Sequence, residues 1–369
     1  MAEDLPFDLS LTEEQAMTRD SLRRFAERQV RPVARPADEA GAAPAGFYDS
    51  TVELGLTLLP IPELHGGAGM PRDPISNVLA VEDLAWGDLT LTLGSLAPLG
   101  VINALLDFAS EAQQETFLPR LATEQFVPAA VALMEGRATF EPGELATSAV
   151  IDGDDYCISG EKRMVPFADN AELLLVVANE PGQGPVALLV ERAQLDSAAV
   201  SIERVEYMGL RALPLYSVRF DQLRVPASHR LAAFDLQRLV DLSRIGTAAL
   251  SLGCCQALLD FSIPYVNERK AFGEPVAWRQ SVAFMVANIG IELEAMRLLV
   301  WRAASRASQG LPFHREAYLA RVLCADKAME IGTNGIQLFG GAGFIRDYPL
   351  EMWYRNLRAI GILEGALMV

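Results

Sequence analysis

Histidine and cysteine, the residues that bind most transition metals in proteins, are scarce in this sequence of 369 residues. Three histidines and four cysteines occur, and neither an H-E-x-x-H nor a C-x-x-C spacing is present. The sequence therefore gives no basis for a zinc enzyme or a dithiol redox protein. The cysteines are predicted to be buried free thiols; they are Cys157, Cys254, Cys255 and Cys324.

Basic residues are fewer than acidic residues. The 31 lysines and arginines are outnumbered by 48 acidic residues, for a formal net charge of −17. Nucleic-acid binding needs clustered cations that neutralise phosphates, so this balance argues against it. An anionic ligand such as a nucleotide must instead meet a few well-placed arginines or backbone amides.

Long apolar runs and a leader sequence are missing as well. No uninterrupted apolar run reaches the roughly 18 residues that cross a bilayer. The chain begins Met1-Ala-Glu-Asp4, without the basic start and apolar core of a secretory signal. We therefore expect a cytoplasmic protein with no membrane span.

Hydrophobic periodicity divides the chain into three stretches. The first is helical and opens with a capping box at Thr12–Gln15, and Pro32 and Pro36 are expected to end its first helix. The second consists of short, turn-bounded apolar runs with a hairpin signal at Asp152-Gly153, a pattern typical of an antiparallel barrel or sandwich. The third is helical again, so the order predicts an α+β fold. The predicted domains are residues 1–125, 126–232 and 233–369.

Three motifs near predicted helix ends contain candidate functional residues. They are Tyr265-x-x-x-Arg269-x-x-Phe272-Gly273, Gln337-x-x-Gly340-Gly341-x-Gly343 and Leu363-Glu364-Gly365. Each motif taken alone has a plain structural interpretation: a helix end with a solvated arginine, a glycine-rich helix stop, and a surface carboxylate near a chain end. The glycine motif lacks the strand-to-helix context of a Rossmann loop, so no dinucleotide fingerprint is predicted.

The order of these and other motifs resembles the acyl-CoA dehydrogenase family along nearly the whole chain. The matching pieces are His65-Gly-Gly-Ala-Gly69, Glu82-Asp-Leu84, Phe117-Leu-Pro-Arg-Leu121, Gly153–Lys162, Met208-Gly-Leu-Arg211, Phe220–Pro226 and the motifs around Arg269 and Gly340. The resemblance implies an N-terminal helical domain, a middle antiparallel β-barrel and a C-terminal four-helix bundle.

The resemblance also implies chemistry. In this family a glutamate removes the α-proton of an acyl-CoA thioester while FAD accepts the β-hydride, and an electron-transfer flavoprotein reoxidises the flavin. Glu364 stands at the position of that base, and Arg244 matches the arginine near the acyl-CoA site. Ser243 occupies the position where some members carry the base instead, which leaves Glu364 as the candidate. The residues matched to contacts with the FAD of a neighbouring subunit are Arg269, Phe272, Gln280, Gln337, Gly340 and Gly341.

Three segments depart from the family pattern. The flavin-contacting T-E-P-x-x-G-S motif corresponds by spacing to Met134-Glu-Gly-Arg137, although Phe140-Glu-Pro-Gly143 offers another match. The W-I-T segment beside the flavin is replaced by Met164-Val-Pro166, and proline removes both a hydroxyl and a backbone donor. Ala366–Val369 stands where the family has threonine and a further helix. Motifs that reach a neighbour's flavin are therefore kept, whereas those that hold the chain's own flavin are altered.

These features leave two main hypotheses open. The chain is an active acyl-CoA dehydrogenase of fatty-acid or steroid side-chain degradation, working as a homodimer or homotetramer or as one subunit of a heteromer. Alternatively, it is a non-catalytic homologue that serves as a partner subunit with a degraded flavin site. A flavin monooxygenase on the same fold is disfavoured, because those relatives tend to lack the base that Glu364 supplies.

Overall fold

The N-terminal third of the protein is helical. The computed structural model describes residues 10–137 and 140–369. The predicted capping box is confirmed: the Gln15 N–H donates to the Thr12 hydroxyl, and the Thr12 N–H donates to the Gln15 side chain. The helices of this part are α1 (Glu13–Phe25), α2 (Arg31–Ala40), α3 (Phe47–Val52), α4 (Pro74–Gly87), α5 (Leu89–Phe108) and α6 (Glu111–Leu121).

The two prolines do not end the first helical segment as the sequence predicted. The chain continues from α1 through a π-helical turn, Ala26–Val30, directly into α2. Pro32 lies in the first turn of α2, directly after the π-helical turn, where the regular α-helical hydrogen-bond pattern is already interrupted. Pro36 lies inside α2, which ends only at Gly41. The left-handed backbone of Gly41, with a φ of 72°, ends the helix instead.

Helix α5 forms the centre of this helical part. By length and composition it could cross a membrane, as could α8 (Leu236–Glu268), but 94% of the apolar window of α5 and 61% of that of α8 are buried inside the protein. A helix that is apolar on all sides is also what the core of a large protein requires. Both helices therefore serve here as core elements.

A buried aspartate caps α5. The Asp88 carboxylate accepts the Leu91 N–H at 2.8 Å, which satisfies one of the unpaired donors at the helix start. The residue is almost completely buried. Burial raises the pKa of Asp88 to about 6, although the backbone hydrogen bonds oppose the shift.

We expect Asp88→Asn to remove a pH dependence of stability. Because the folded-state pKa is raised from 3.8 to about 6, the folded protein binds more protons than the unfolded chain between these values, and the free energy of unfolding falls as pH rises through them. Asparagine caps helices equally well and carries no charge. The variant should match the wild type near pH 4 and exceed it by roughly 3 kcal/mol near pH 8, measured by urea unfolding.

The matched control for this experiment is Asp235→Asn. Asp235 caps α8 by accepting the Arg238 N–H at 3.1 Å, and it is exposed, so water hydrates its charge in both the folded and the unfolded state. The same substitution there should change stability little at either pH. An equal gain in the free energy of unfolding for Asp88→Asn at both pH values would show that a raised pKa of Asp88 is not the cause.

The middle of the chain forms a seven-stranded sheet, counted over the described ranges, with the order β1-β4-β2-β3-β7-β6 and β5 paired to β4. The hairpin predicted at Asp152-Gly153 is confirmed, because β2 and β3 pair antiparallel around it. The sheet is not purely antiparallel as expected, since β4 pairs in parallel with β1 and with the start of β2. Parallel neighbours need a crossover connection, which the β2–β3 hairpin supplies. The elements are β1 (Ala129–Ala132), β2 (Ser148–Asp152), β3 (Asp155–Pro166), β4 (Leu173–Glu180), β5 (Gly184–Glu191), α7 (Arg192–Leu195), β6 (Val200–Arg204) and β7 (Leu215–Pro226).

Within the described residues the C-terminal part contains three long helices and a shorter fourth one, in agreement with the helical bundle that the family resemblance implied. Helix α8 packs against α4 and α5 of the N-terminal part and against the helices that follow it, so it joins the two helical parts. A short hairpin separates it from the next helix. The elements after α8 are β8 (Lys270–Ala271), β9 (Glu274–Pro275), α9 (Gln280–Ser308), α10 (His314–Phe339) and α11 (Leu350–Ile360).

Candidate active site

Glu364 lies in the turn that follows α11, at the junction of the sheet and the helical bundle. The next residue, Gly365, has a φ of 71°, and a Cβ at that position would lie 2.6 Å from the Leu133 side chain. Glycine is therefore required both by backbone conformation and by space. The turn packs on the segment after β1, where the Glu364 N–H points to the Met134 sulfur at 3.5 Å.

Two arginines hold the Glu364 carboxylate. Arg244 of α8 donates its Nε to Oε2 at 3.1 Å and its Nη2 to Oε1 at 3.3 Å. Arg321 of α10 has its Nε 3.5 Å from Oε1, and its Nη2 donates to the Leu363 carbonyl at 3.3 Å. The side chains of Glu364, Arg244 and Arg321 are 12%, 11% and 9% exposed. The carboxylate is thus largely shielded from water, and cations from two helices match its charge.

Arg321 was missed by the sequence analysis, although the small, apolar residues at helical spacing around it in α10 indicate a buried position. Its neighbours at helical spacing, Ala317, Cys324 and Ala328, are all buried. An arginine on such a face must find an acidic partner inside the protein. Burial lowers the pKa of the Arg321 guanidinium, and the Glu364 carboxylate opposes that shift.

A second buried ion pair fixes the segment on which the Glu364 turn rests. Lys162 Nζ donates to Glu135 Oε1 at 2.8 Å and to the Leu133 carbonyl at 3.0 Å. Glu135 also accepts the Ala146 and Thr147 N–H groups at 2.7 and 2.9 Å. Burial lowers the pKa of Lys162 to about 8, with Glu135 opposing the shift. Burial by itself raises the pKa of Glu135, but the ammonium group and the two amides outweigh it and hold the pKa below its ordinary value.

The predicted flavin-contacting residues lie far from Glu364. Arg269 caps the end of α8, 25 residues beyond Arg244, which corresponds to roughly 37 Å along a helix. The rings of Tyr265 and Phe339 stack with centroids 3.7 Å apart, which brings the ends of α8 and α10 together. The structure therefore groups these residues at one end of the bundle and does not join them to Glu364 of the same chain. They are Arg269, Phe272, Gln280, Gln337, Gly340 and Gly341.

This distant end of the bundle is open. A Cβ added at Gly340 or Gly341 would meet no heavy atom of the described residues within 4 Å, so a ligand can approach the backbone closely. Phe344, which follows these glycines in sequence, is 88% exposed, and Phe272 in the hairpin after α8 is 97% exposed. Exposed aromatic rings next to accessible glycine backbone indicate a surface that another molecule covers.

Sequence models of three consecutive protein domains match the three parts of this fold. The N-terminal domain of acyl-CoA dehydrogenase matches residues 12–125, the middle domain residues 130–223 and the C-terminal domain residues 235–369. The chain belongs to the acyl-CoA dehydrogenase family. The resemblance seen in the sequence motifs is thereby confirmed, and the chain is an oxidoreductase of this FAD-binding class.

Curated relatives and solved structures agree with the family over the full fold. The probable acyl-CoA dehydrogenase YngJ of Bacillus subtilis is 32% identical over 97% of this chain and 96% of its own length. The short-chain specific acyl-CoA dehydrogenase of Clostridium acetobutylicum is 30% identical, with the same coverage. The solved structure of butyryl-CoA dehydrogenase from Megasphaera elsdenii has a TM-score of 0.87 at 28% identity and covers 96% of this chain and 95% of its own.

The residues around Gly340 fit the pyrophosphate of FAD. The two glycines are open to close approach, and Arg269 at the same end would offer a cation to a phosphate group. In the β-sheet, the segments that hold a chain's own flavin in the family carry different side chains here. There the Met134 sulfur already accepts a hydrogen bond from Glu364, and Pro166 has neither a hydroxyl nor an N–H.

Proposed function

We propose that the chain catalyses the α,β-dehydrogenation of an acyl-CoA thioester, with Glu364 as the general base. The observation that carries this proposal is the shielded Glu364 carboxylate, held by Arg244 and Arg321 where the sheet meets the bundle. An α-proton beside a thioester is weakly acidic, so its base must be dry and fixed in position. The relatives named for short-chain and butyryl-CoA substrates support an acyl thioester as the substrate class.

In the proposed reaction a carboxylate oxygen of Glu364 takes the α-proton. The electrons of that C–H bond form the new Cα–Cβ double bond, and the β-hydrogen leaves with its electron pair. FAD, when bound, supplies the acceptor for this hydride. Arg244 orients the carboxylate by donating to both of its oxygens, and the Arg321 guanidinium lies 3.5 Å from Oε1 as a second ion-pair partner.

We propose that the flavin contacts of Arg269 and Gly340 serve a neighbouring subunit. One dinucleotide does not bridge the roughly 37 Å of α8 that separates Arg269 from the Glu364 site. The outer face of α9 supports an assembly, because Phe284, Ile291 and Leu298 recur every seven residues and are exposed. The partner is a second copy or a homologous subunit, in a dimer or tetramer. The proposed electron acceptor is an electron-transfer flavoprotein, and the proposed location is the cytoplasm.

A non-catalytic partner subunit is the second candidate function. Met134 and Pro166 favour it, since the segments that hold a chain's own flavin in the family offer a thioether and a proline here. In this case the chain would complete the flavin site of a homologous subunit through the surface around Gly340. Glu364 would then serve only as a structural ion-pair partner.

Anaerobic titration with butyryl-CoA tests the proposed function. The protein is purified alone and together with any homologue that is encoded next to its gene, and the visible spectrum of oxidised flavin is recorded before and after the substrate is added. We expect bound FAD and substrate-dependent bleaching in at least one preparation. Absence of both flavin and bleaching from the two preparations would refute the proposal. Bleaching that survives Glu364→Gln in the assembled complex would favour the non-catalytic role.

A further inference from the structure

The peptide that joins Leu363 to Glu364 sets the direction in which the proposed base leaves the backbone. Helix α11 ends at Ile360, and the Leu363 N–H still donates to the Ala359 carbonyl at 2.9 Å. The N–H of the Leu363–Glu364 peptide points instead to the Met134 sulfur at 3.5 Å, and a thioether is a weak acceptor. The backbone hydrogen bonds that extend from α11 therefore end one peptide before Glu364.

Arg321 of α10 supplies a charged donor to this peptide. Its Nη2 donates to the Leu363 carbonyl at 3.3 Å, while its Nε lies 3.5 Å from Glu364 Oε1 and has no hydrogen-bond partner among the described residues. The directional contact of Arg321 is thus with the backbone, and its contact with the carboxylate is an ion pair. Arg244 differs, because its hydrogen bonds go to the two carboxylate oxygens. One arginine holds the side chain of the proposed base, and the other holds the peptide before it.

Two buried guanidinium groups face one carboxylate, which leaves a positive charge in excess. The side chains of Arg244 and Arg321 are 11% and 9% exposed. Burial lowers the pKa of Arg321; the Glu364 carboxylate opposes this shift, and repulsion from Arg244 adds to it. Asp241 of α8 offsets part of the excess, because it lies one turn before Arg244 and interacts with it. Packing alone does not favour a second arginine here, since an apolar side chain of similar size avoids the cost of burying the charge.

We infer that Arg321 is a positioning residue for proton abstraction, which fixes the Leu363–Glu364 peptide and thereby the place of the Glu364 carboxylate. This rests on the proposed function, because a base must be held against the α-C–H bond that it attacks. Residues at functional sites often lower stability in exchange for a precise geometry. Arg321 has this character, since its buried charge is costly and its hydrogen bond goes to the backbone beside the base.

Arg321→Met is expected to slow flavin reduction without weakening substrate binding. The rate with butyryl-CoA should fall by about 10²-fold, the loss that a misplacement of about 1 Å can cause. The affinity for S-butyl-CoA, a thioether that lacks the acidic α-proton of a thioester, should change by less than about three-fold. The urea midpoint of unfolding should not fall, because Arg244 still pairs with Glu364 and the excess charge is gone. Stopped-flow absorbance, calorimetry and circular dichroism measure these quantities on the assembly that carries FAD.

Arg321→Lys separates the shape of the guanidinium group from its charge. Lysine keeps a cation near Glu364, but it has no second nitrogen with which to hold the Leu363 carbonyl at the same time. We expect partial rescue, with a rate of flavin reduction between those of the wild type and Arg321→Met. If Arg321→Met does not fold, Arg321→Lys decides, and a wild-type rate in that variant would overturn the inference.

The matched control is Arg297→Met in α9. The Arg297 side chain is 11% exposed and pairs with the buried Glu82 at 2.8 Å, so its size and burial are close to those of Arg321. Without it Glu82 would depend on the more distant Arg19, at 3.7 Å. We expect the opposite pattern from this variant: a lower urea midpoint, and flavin reduction at close to the wild-type rate.

The outcomes separate this inference from the proposed function. A wild-type rate in Arg321→Met would overturn the inference. So would a loss of S-butyl-CoA affinity as large as the loss of rate, or a urea midpoint as low as that of Arg297→Met, since Arg321 would then bind substrate or support the fold. Glu364→Gln is measured in parallel. If it is slow while Arg321→Met is not, only this inference fails; if it reduces flavin at the wild-type rate, Glu364 is not the base and the proposed function fails as well.

Discussion

Glu364→Gln is expected to slow acyl-CoA-dependent flavin reduction by about 10³-fold, within the range that general-base catalysis contributes. Glutamine has nearly the same shape as glutamate but cannot accept the α-proton at neutral pH. The substrate should still bind, because the rest of the proposed site, including Arg244, remains in place. Stopped-flow reduction with butyryl-CoA measures the rate, and the affinity for S-butyl-CoA measures binding separately.

Glu82→Gln is the matched control for this variant. Glu82 of α4 is also a buried glutamate held by two arginines, with Arg297 at 2.8 Å and Arg19 at 3.7 Å. Loss of its charge disturbs packing to a similar degree without touching the proposed base. The control should reduce flavin at close to the wild-type rate. Equal slowing of both variants would show that a buried ion pair, and not the base, was lost.

Lys162→Met is expected to lower the free energy of unfolding by about 3–5 kcal/mol, the typical loss when one partner of a buried ion pair is removed. The Glu135 carboxylate would remain buried without its cation, and the Leu133 carbonyl would lose a donor. Because the Glu364 turn packs on this segment, flavin reduction should also slow. Urea unfolding monitored by circular dichroism measures the stability change.

Removing both charges at once tests the cause of that loss. The double variant Lys162→Met/Glu135→Gln leaves no unpaired charge in the core, so it should be more stable than Lys162→Met alone. An exposed pair supplies the control: Asp152→Asn breaks its ion pair with Arg224, whose side chain is 59% exposed, and should change the free energy of unfolding little, because water screens the pair. If the losses in free energy of unfolding of the two single substitutions simply add in the double variant, Lys162 and Glu135 are not energetically coupled.

Local sequence patterns predicted much of the fold. The capping box at Thr12–Gln15 and the hairpin at Asp152-Gly153 depend on neighbours in the chain, and both are confirmed. The two prolines were misread because Pro32 lies in the first turn of a second helix, a placement that the order of residues alone does not show. The parallel pairing of β1 with β4 was missed for a related reason, since strand partners are set by long-range contacts.

The candidate site was predicted only in part. The family motifs led to Glu364 and Arg244, which the structure brings within 3.1 Å of each other, although the catalytic role of Glu364 stays a prediction. Arg321 was not found, because its pairing with Glu364 joins α10 to the turn after α11.

Exchange of the α-proton tests the central claim most directly, because it isolates the action of the base from hydride transfer. Methylthioacetyl-CoA has sulfur in place of the β-carbon and so has no β-hydrogen to lose. In D₂O the wild-type protein, in the assembly that carries FAD, should exchange its α-protons for deuterium, and Glu364→Gln should exchange them about 10³-fold more slowly. Exchange by Glu364→Gln at the wild-type rate would show that Glu364 is not the base.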